Sequence, residues 1–538
     1  MEPRERFEAV CLAMGDPSFY PHAVTRLERL DTHISTVFLT GPWAYKLKKP
    51  VDFGFLDFTS LDSRRHFCER EVFLNQRLSR GIYMAVVQIS KNQGGRIFLG
   101  EGDEVVEYAV KMKQLREEES LRWRVASGMV SGNDMRNLGF LLADFYESSR
   151  RDSEIDRYGH PDVIAFNMEE NFYQIRPYIE DVLASEQTEQ YEFIRQVSRA
   201  FFLNYSNLFN HRVASGRIRD GHGDLRSDHI YFSDGIQIID CIEFNDRFRY
   251  GDVVGDLAFL HMDLEHLGRE DLCQEFLAAY AERADDFEMY ALLDFYAAYR
   301  AVVKVKVACL RWEEMESPKE REALAKEAMS YLQQAYRYAL QFSRPTIWAV
   351  MGLPATGKSS VAGMLSKKLS LPIFQSDLIR REMPGVTETS LGVVGYDEGA
   401  YRSTMRQRVY GKMLLMAMDE LKKGHSVVLD ATFCNRRWRD ELRQLAGDLD
   451  TNLVVVECTS DEQTIRARLQ RREGEGGISD ARLEHLPKMM REYETPSELP
   501  PEIFLQLDTS LPQAQVIARA LSHGYAKKRE QVKALGMG

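Results

Sequence analysis

The densest run of chemically committed residues lies past the middle of the 538-residue chain: Gly352, Leu353, Pro354, Ala355, Thr356, Gly357, Lys358, Ser359 and Ser360. The spacing is G-x-x-x-x-G-K-[ST], with the apolar run Thr346 to Met351 before it and Val361-Ala362-Gly363-Met364-Leu365 after it. A strand, this loop and a helix in that order form a phosphate cradle. Two glycines let the backbone curl so that successive N–H groups converge on phosphate oxygens, and the helix adds its positive end. Lys358 would reach the β- and γ-phosphates, and the Ser359 hydroxyl would complete the shell of a Mg²⁺ ion. By itself the loop implies a nucleoside triphosphate with Mg²⁺; the cofactors expected of the whole chain are ATP and Mg²⁺.

Three further groups of residues stand out. Gly221-His222-Gly223-Asp224-Leu225-Arg226-Ser227-Asp228-His229 is followed by Ile238-Ile239-Asp240, which places Asp224 and Asp240 on neighbouring short elements. Lys46 and Lys48 alternate along Ala44-Tyr45-Lys46-Leu47-Lys48, so both project from one face of a strand. Downstream, Asp377 and Arg380 follow the run Leu371 to Ser376, Asp430 closes the run Ser426 to Asp430, and Arg466 to Arg472 carries four arginines before a glycine-rich stretch, Glu473 to Ser479.

The elements that must position these residues change character along the chain. Strands are expected at Ser35 to Thr40 and Ala44 to Lys48, joined at Gly41-Pro42, then at Met84 to Ile89, Arg96 to Leu99 and Val105 to Met112. A helix expected from about Ser60 to Leu78 contains Glu71. After Ser120 the pattern turns helical, with amphipathic runs at Asp134 to Tyr146 and Gln187 to Phe209. A helix from Ala297 to Leu310 carries Arg300 and Lys304 on one face, and a polar helix from Lys319 to Phe342 ends at Ser343-Arg344-Pro345, where a domain boundary is expected. From Thr346 strands and helices alternate, as a parallel sheet covered on both faces requires. Five strands are expected there, at 346–351, 371–376, 426–430, 453–458 and 503–507. The Met413 to Met418 cluster reads as core filling.

The first half resembles the aminoglycoside phosphotransferase and choline kinase branch of the protein-kinase-like fold, on its His222-Gly223-Asp224 loop, its Ile239-Asp240 dipeptide and its Gly255-Asp256-Leu257-Ala258 segment. The resemblance implies that Asp224 orients and deprotonates an acceptor hydroxyl, that Asp240 holds the Mg²⁺ bridging the ATP phosphates, and that Asp256 buttresses the loop. It also implies that Glu71 fixes a strand lysine on the phosphates, with Lys46 and Lys48 both candidates. Where the family has an asparagine as second metal ligand this chain has His229, a nitrogen donor at a site for a hard cation. The second half resembles P-loop kinases of the polynucleotide kinase, zeta-toxin and chloramphenicol phosphotransferase type. There Asp377 would be the general base, Arg380 would position the acceptor, and Asp430 would be a Walker-B-like carboxylate near the metal or Arg380. Arg468 or Arg472 would close on the phosphates as a lid.

The expected fold is thus a two-domain chain. Residues 1–340 form a protein-kinase-like α+β domain with a small β lobe and a large α lobe, and residues 345–525 form an α/β P-loop kinase with a parallel five-stranded sheet. Residues 526–538 are expected to form a flexible tail. The function implied is ATP-dependent phosphotransfer to a hydroxyl of a small molecule, in one or both domains. Two other readings stay open: a first domain that only senses nucleotide, and a second that phosphorylates the 5′-hydroxyl of a polynucleotide. The net charge of −12 divides into −14 before Pro345 and +2 after it, which argues against a nucleic-acid surface. Seven dispersed cysteines, the absence of an apolar core after Met1 and the lack of any long apolar run lead to the expectation of a reduced, cytoplasmic protein without membrane attachment.

Overall fold

The computed structural model describes residues 3–183, 185–383, 403–475 and 483–534. Its packing divides the chain into two compact units, Met1–His160 with Arg212–Phe276, and Pro161–His211 with Leu277–Gly538. The helices of 161–211 and 277–343, expected to complete a domain ending at 340, pack in the unit that carries the nucleotide loop. Among the described residues no helix is long and apolar enough to cross a membrane.

The first unit is built on a six-stranded antiparallel sheet of β1 (Glu28–Asp31), β2 (Ser35–Leu39), β3 (Trp43–Lys48), β4 (Tyr83–Lys91), β5 (Ile97–Leu99) and β6 (Glu104–Lys113). Its strand order is β1-β2-β3-β6-β4-β5. Alternation along β3 gives each face its cover. Tyr45 and Leu47 pack with Phe7 and Val10 of the helix Pro3–Met14. Ala44 packs with Cys68 of the helix Leu61–Asn75, and Lys46 and Lys48 share that second face by period two. Ser60 caps the Leu61–Asn75 helix by accepting from Ser63 N. A buried Arg64–Glu107 ion pair at 2.9 Å ties that helix to β6. Beyond the sheet, short ribbons carry the loops of the candidate site: β7 (Ile218–Asp220) pairs with β10 (Tyr250–Asp252), and β8 (Ile230–Phe232) with β9 (Ile236–Ile238).

The second unit contains the expected five-stranded parallel sheet, of β11 (Thr346–Met351), β12 (Ile373–Gln375), β13 (Val427–Asp430), β14 (Asn452–Thr459) and β15 (Phe504–Asp508), in the order β12-β13-β11-β14-β15. One face packs Ile347, Ala349 and Leu429 against Met413 and Leu442 of the helices Ser403–Lys422 and Arg436–Asp448. On the other face Gly524 brings the helix Gln513–Ala534 onto Trp348, so closely that a Cβ there would lie 2.3 Å from the indole ring. The same helix corrects the expectation of a flexible tail from 526. The helix runs on to Ala534, where the Gln531 amide accepts from Leu453 N at 2.9 Å and donates to Leu453 O at 2.9 Å, and Val532 is buried. A polar-looking segment is held by one glutamine that pairs with strand backbone.

Candidate active sites

In the first unit, β3, the helix Leu61–Asn75 and the loop after β9 converge on one charged cluster. Lys46 Nζ lies 2.9 Å from Glu71 Oε1 and 2.6 Å from Asp240 Oδ1. Lys48 Nζ lies 2.8 Å from Glu71 Oε2 and also pairs with Glu243. Both lysines thus hold the same glutamate, but at different depths: the Lys48 side chain is 1% exposed and that of Lys46 13%. Glu71 is fully buried, so it positions lysines and does not face a nucleotide; Lys48 is equally withdrawn.

The charges in this cluster settle one another. Burial opposes the Lys46 ammonium, but Asp240 and Glu71 hold it protonated well above the ordinary lysine range. Burial would raise Glu71 too, yet the two ammoniums keep it below the usual value. Burial would raise Asp240 as well, but the Lys46 ammonium beside it holds it far below the carboxylate range. Glu243, with Glu71 as a second negative neighbour, is raised by burial. Asp240 itself adopts φ +63°, a left-handed conformation uncommon for a residue with a side chain, and strain of this kind concentrates at functional sites.

The loop bearing Asp224 is fixed from behind. The Asp256 carboxylate accepts from His222 N at 2.7 Å, from Gly223 N at 2.9 Å and from Tyr146 OH at 3.2 Å, as a loop buttress should. Asp263, which sequence reasoning did not single out, accepts from Ser227 N at 2.8 Å. Burial brings the His222 imidazole down to about 4, so it is neutral, donating from Nε2 to Ile239 O at 3.0 Å and accepting at Nδ1 from Asp224 N.

His229 stands between the two carboxylates, 3.5 Å from Asp224 Oδ2 and 3.6 Å from Asp240 Oδ2. Arg226 Nη2 donates to His229 Nε2 at 3.0 Å, which leaves Nδ1–H to donate to Asp224 O at 2.9 Å. Arg226 also lies 3.1 Å from Asp224 Oδ1 and 3.3 Å from Asp228 Oδ2. No role was read for it from the sequence, although its place two residues after Asp224 was the available signal. For Mg²⁺ the donor set fits at Asp240, an ionised oxygen ligand beside the cleft lysine, and fits poorly at His229, whose Nε2 lone pair is already engaged.

In the second unit the nucleotide loop follows β11. Gly352 has φ +135°, and a Cβ there would lie 2.5 Å from Cys458 O on the neighbouring strand, so glycine is required. Thr356 Oγ1 donates to Leu353 O at 2.8 Å and closes the loop, and Lys358 begins the helix Lys358–Leu369. Leu353, Pro354 and Ala355 form the arch, and Ser359 and Ser360 are exposed at its mouth. Asp430, at the end of β13, is 4% exposed. Its Oδ2 accepts from Gln375 Nε2 at 2.9 Å, while the buried Oδ1 has no partner. A buried carboxylate oxygen without a partner, at the carboxyl ends of parallel strands, suits a water on Mg²⁺.

Asp377 and Arg380 belong to the short helix Ser376–Arg381, which takes over Ser376 from the expected strand, and Arg380 Nη1 donates to Asp377 Oδ1 at 2.8 Å. Arg468 is placed otherwise than expected. Its guanidinium donates to Ala355 O at 3.2 Å and to Thr509 O at 2.9 Å, bracing the nucleotide loop through backbone carbonyls. The Arg472 side chain and the glycine-rich stretch after Glu475 lie outside the described residues.

These two sites define the class: a kinase-like fold with a Lys–Glu–Asp constellation, joined to a P-loop nucleotide-binding fold. A family model described as "AAA domain" matches residues 347–496. The chain is 34% identical over 457 residues to the uncharacterized protein Rv2004c of Mycobacterium tuberculosis (strain ATCC 25618 / H37Rv), an alignment covering 84% of this chain and 87% of that one, and equally to the uncharacterized protein Mb2027c of Mycobacterium bovis. It belongs to the family of these proteins. Among solved structures it is similar to a gluconokinase from Sinorhizobium meliloti 1021 (21% identity, 36% of this chain and 98% of that chain, TM-score 0.27). It is also similar to the ADP-bound aminoglycoside phosphotransferase APH(2'')-Ib (15% identity, 62% and 98%, TM-score 0.32). A choline/ethanolamine kinase family protein from Mesorhizobium loti gives 13% identity, 61% and 98% coverage, and a TM-score of 0.34.

Proposed function

We propose that the chain is an ATP-dependent phosphotransferase with two sites, each passing the γ-phosphoryl group to a hydroxyl of a small molecule. The observation that carries this reading is Lys46, whose ammonium meets Glu71 and Asp240 together while staying partly exposed to the cleft. In the first site Lys46 would hold ATP phosphates and Asp240 the Mg²⁺, which when bound neutralises phosphate charge. Asp224 would take the acceptor proton as the acceptor oxygen bonds to phosphorus. The bond from phosphorus to the β–γ bridging oxygen breaks, and its electron pair leaves with ADP. In the second site Lys358 and the loop amides would hold the phosphates, Asp377 would take the proton, and Arg380 would orient both Asp377 and the acceptor.

A second reading, with the first unit as a nucleotide sensor, is favoured by the engagement of His229 Nε2 with Arg226. One experiment separates the two. Metabolite extracts would be incubated with ATP and the wild type, Lys358→Ala, Asp224→Asn or the double variant, and new phosphorylated species counted by mass spectrometry. Two sets of products, one lost with each single variant, are expected. If Asp224→Asn leaves every product intact, the first site does no transfer; if Lys358→Ala does so, the second does none.

A further inference from the structure

The carboxylates on the Asp224 side of the first site already share a cation, Arg226. Its side chain is 20% exposed, and its fork is divided among Asp224 Oδ1 at 3.1 Å, Asp228 Oδ2 at 3.3 Å and His229 Nε2 at 3.0 Å. Those three atoms are the donors a second cation beside Asp240 would need, and each already accepts from, or pairs with, one guanidinium. Mg²⁺ takes oxygen ligands in near-octahedral array and relies on one or two carboxylates plus phosphate and water. Asp240 meets that need alone. Among the described residues no group of three or more His, Cys, Asp and Glu side chains is arranged to hold a metal ion.

We propose that the first site takes one divalent cation, at Asp240, and that Arg226 supplies the second positive charge to the transferring phosphoryl group. The inference rests on the reading of this site as a phosphotransferase site. A planar guanidinium is a good substitute, because its fixed fork matches phosphate oxygens and it stays charged. His229 is then explained as part of the arrangement: its Nδ1–H is anchored on the backbone of Asp224, and its Nε2 aims the arginine. It is a positioning residue for Arg226 and not a metal ligand.

The test counts metal ions in the full-length chain carrying Lys358→Ala, with saturating ADP, by the loss of free Mn²⁺ signal in electron paramagnetic resonance. The same titration is repeated with Asp224→Asn and Asp240→Asn added together, so that a second cation beside Asp224 is lost as well. A difference of one Mn²⁺ per chain is the expected result. A difference of two would overturn the single-cation inference while leaving the phosphotransferase reading intact. No difference would overturn both, provided thermal melting shows the doubly substituted chain folded as its parent. In the Lys358→Ala background, Arg226→Ala should lower the hydrolysis of ATP to water by about 10³-fold, with the Mn²⁺ count unchanged. Added guanidinium ion should restore part of the rate. An Arg226→Ala protein that hydrolyses ATP at the parental rate would refute the role of the arginine.

Discussion

The two lysines of β3 offer a sharp discrimination, because the structure gives them unequal jobs. Replacing Lys48 by Met keeps the apolar stem but leaves Glu71 and Glu243, both buried, with one ammonium fewer between them. Removing one partner of a buried pair costs about 3–5 kcal/mol, chiefly because the remaining charge has no compensation. At about 2–4 °C per kcal/mol for a unit of about 225 residues, melting of the first unit should fall by about 6–20 °C. Lys46→Met is milder: Glu71 keeps Lys48, and Asp240 is partly solvated, so the expected cost is smaller than that of Lys48→Met. Its penalty should fall on turnover, with a loss of about 10²-fold or more in ATP hydrolysis measured in the Lys358→Ala background. Differential scanning calorimetry and an ADP-release assay on the two variants check this. Equal melting temperatures, or a stable Lys48→Met protein that has lost turnover while Lys46→Met retains it, would refute the division of labour.

Further outcomes follow from the second unit. Burial pushes the Asp294 carboxyl from 3.8 to about 6, against the pull of Lys528 and the donated hydrogen bond of Tyr525. The folded state therefore favours the protonated form, so what Asp294 contributes to stability is greatest below pH 4, is lost as pH rises through 6 and stays lower above it, by about 3 kcal/mol. Asp294→Asn removes that slope, and its melting temperature relative to wild type should rise by several degrees between pH 4 and pH 7; a difference independent of pH would count against the assignment. Gly524→Ala places a methyl group 2.3 Å from the Trp348 ring, and overpacking of this kind should cost about 1–3 kcal/mol, visible as a lowered melting temperature with altered tryptophan fluorescence. An unperturbed Gly524→Ala protein would show that the helix can withdraw from the sheet without loss.

The nucleotide loop was legible because its chemistry is local: backbone amides must converge, and only glycine can stand at Gly352 against Cys458 O. The parallel sheet was legible from its alternation with helices. The short polar edge strand β1 was not, since Glu28–Asp31 is mostly exposed and carries no apolar period. Lys46 and Lys48 were equivalent by spacing, because period two gives a face and says nothing of depth; the distinction came from Glu243, nearly two hundred residues away in sequence. Arg468, expected with Arg472 as a lid residue, shows another limit. An arginine near phosphates by motif is drawn instead to carbonyls of Ala355 and Thr509, and side-chain reach of that kind leaves no mark in the sequence. Arg226 lay in plain view inside the Asp224 loop, yet its significance depends on which neighbours share its fork.

The helices Met289–Glu314 and Pro318–Ser343 precede the nucleotide loop in the chain but are part of its compact unit, where Asp294 bonds Tyr525 of the last helix. The first unit is likewise written in two instalments, separated by residues 161–211. A gene cut at the Ser343-Arg344-Pro345 junction would therefore not release two self-sufficient halves. The downstream piece would lose the helical bed under Tyr525, and the upstream piece would expose the sides of those helices that pack on the last one. Dissecting the two proposed chemistries by truncation would measure broken packing as lost activity. Assigning them calls for point substitutions in the intact chain, where each site can be silenced without removing the other unit's scaffolding.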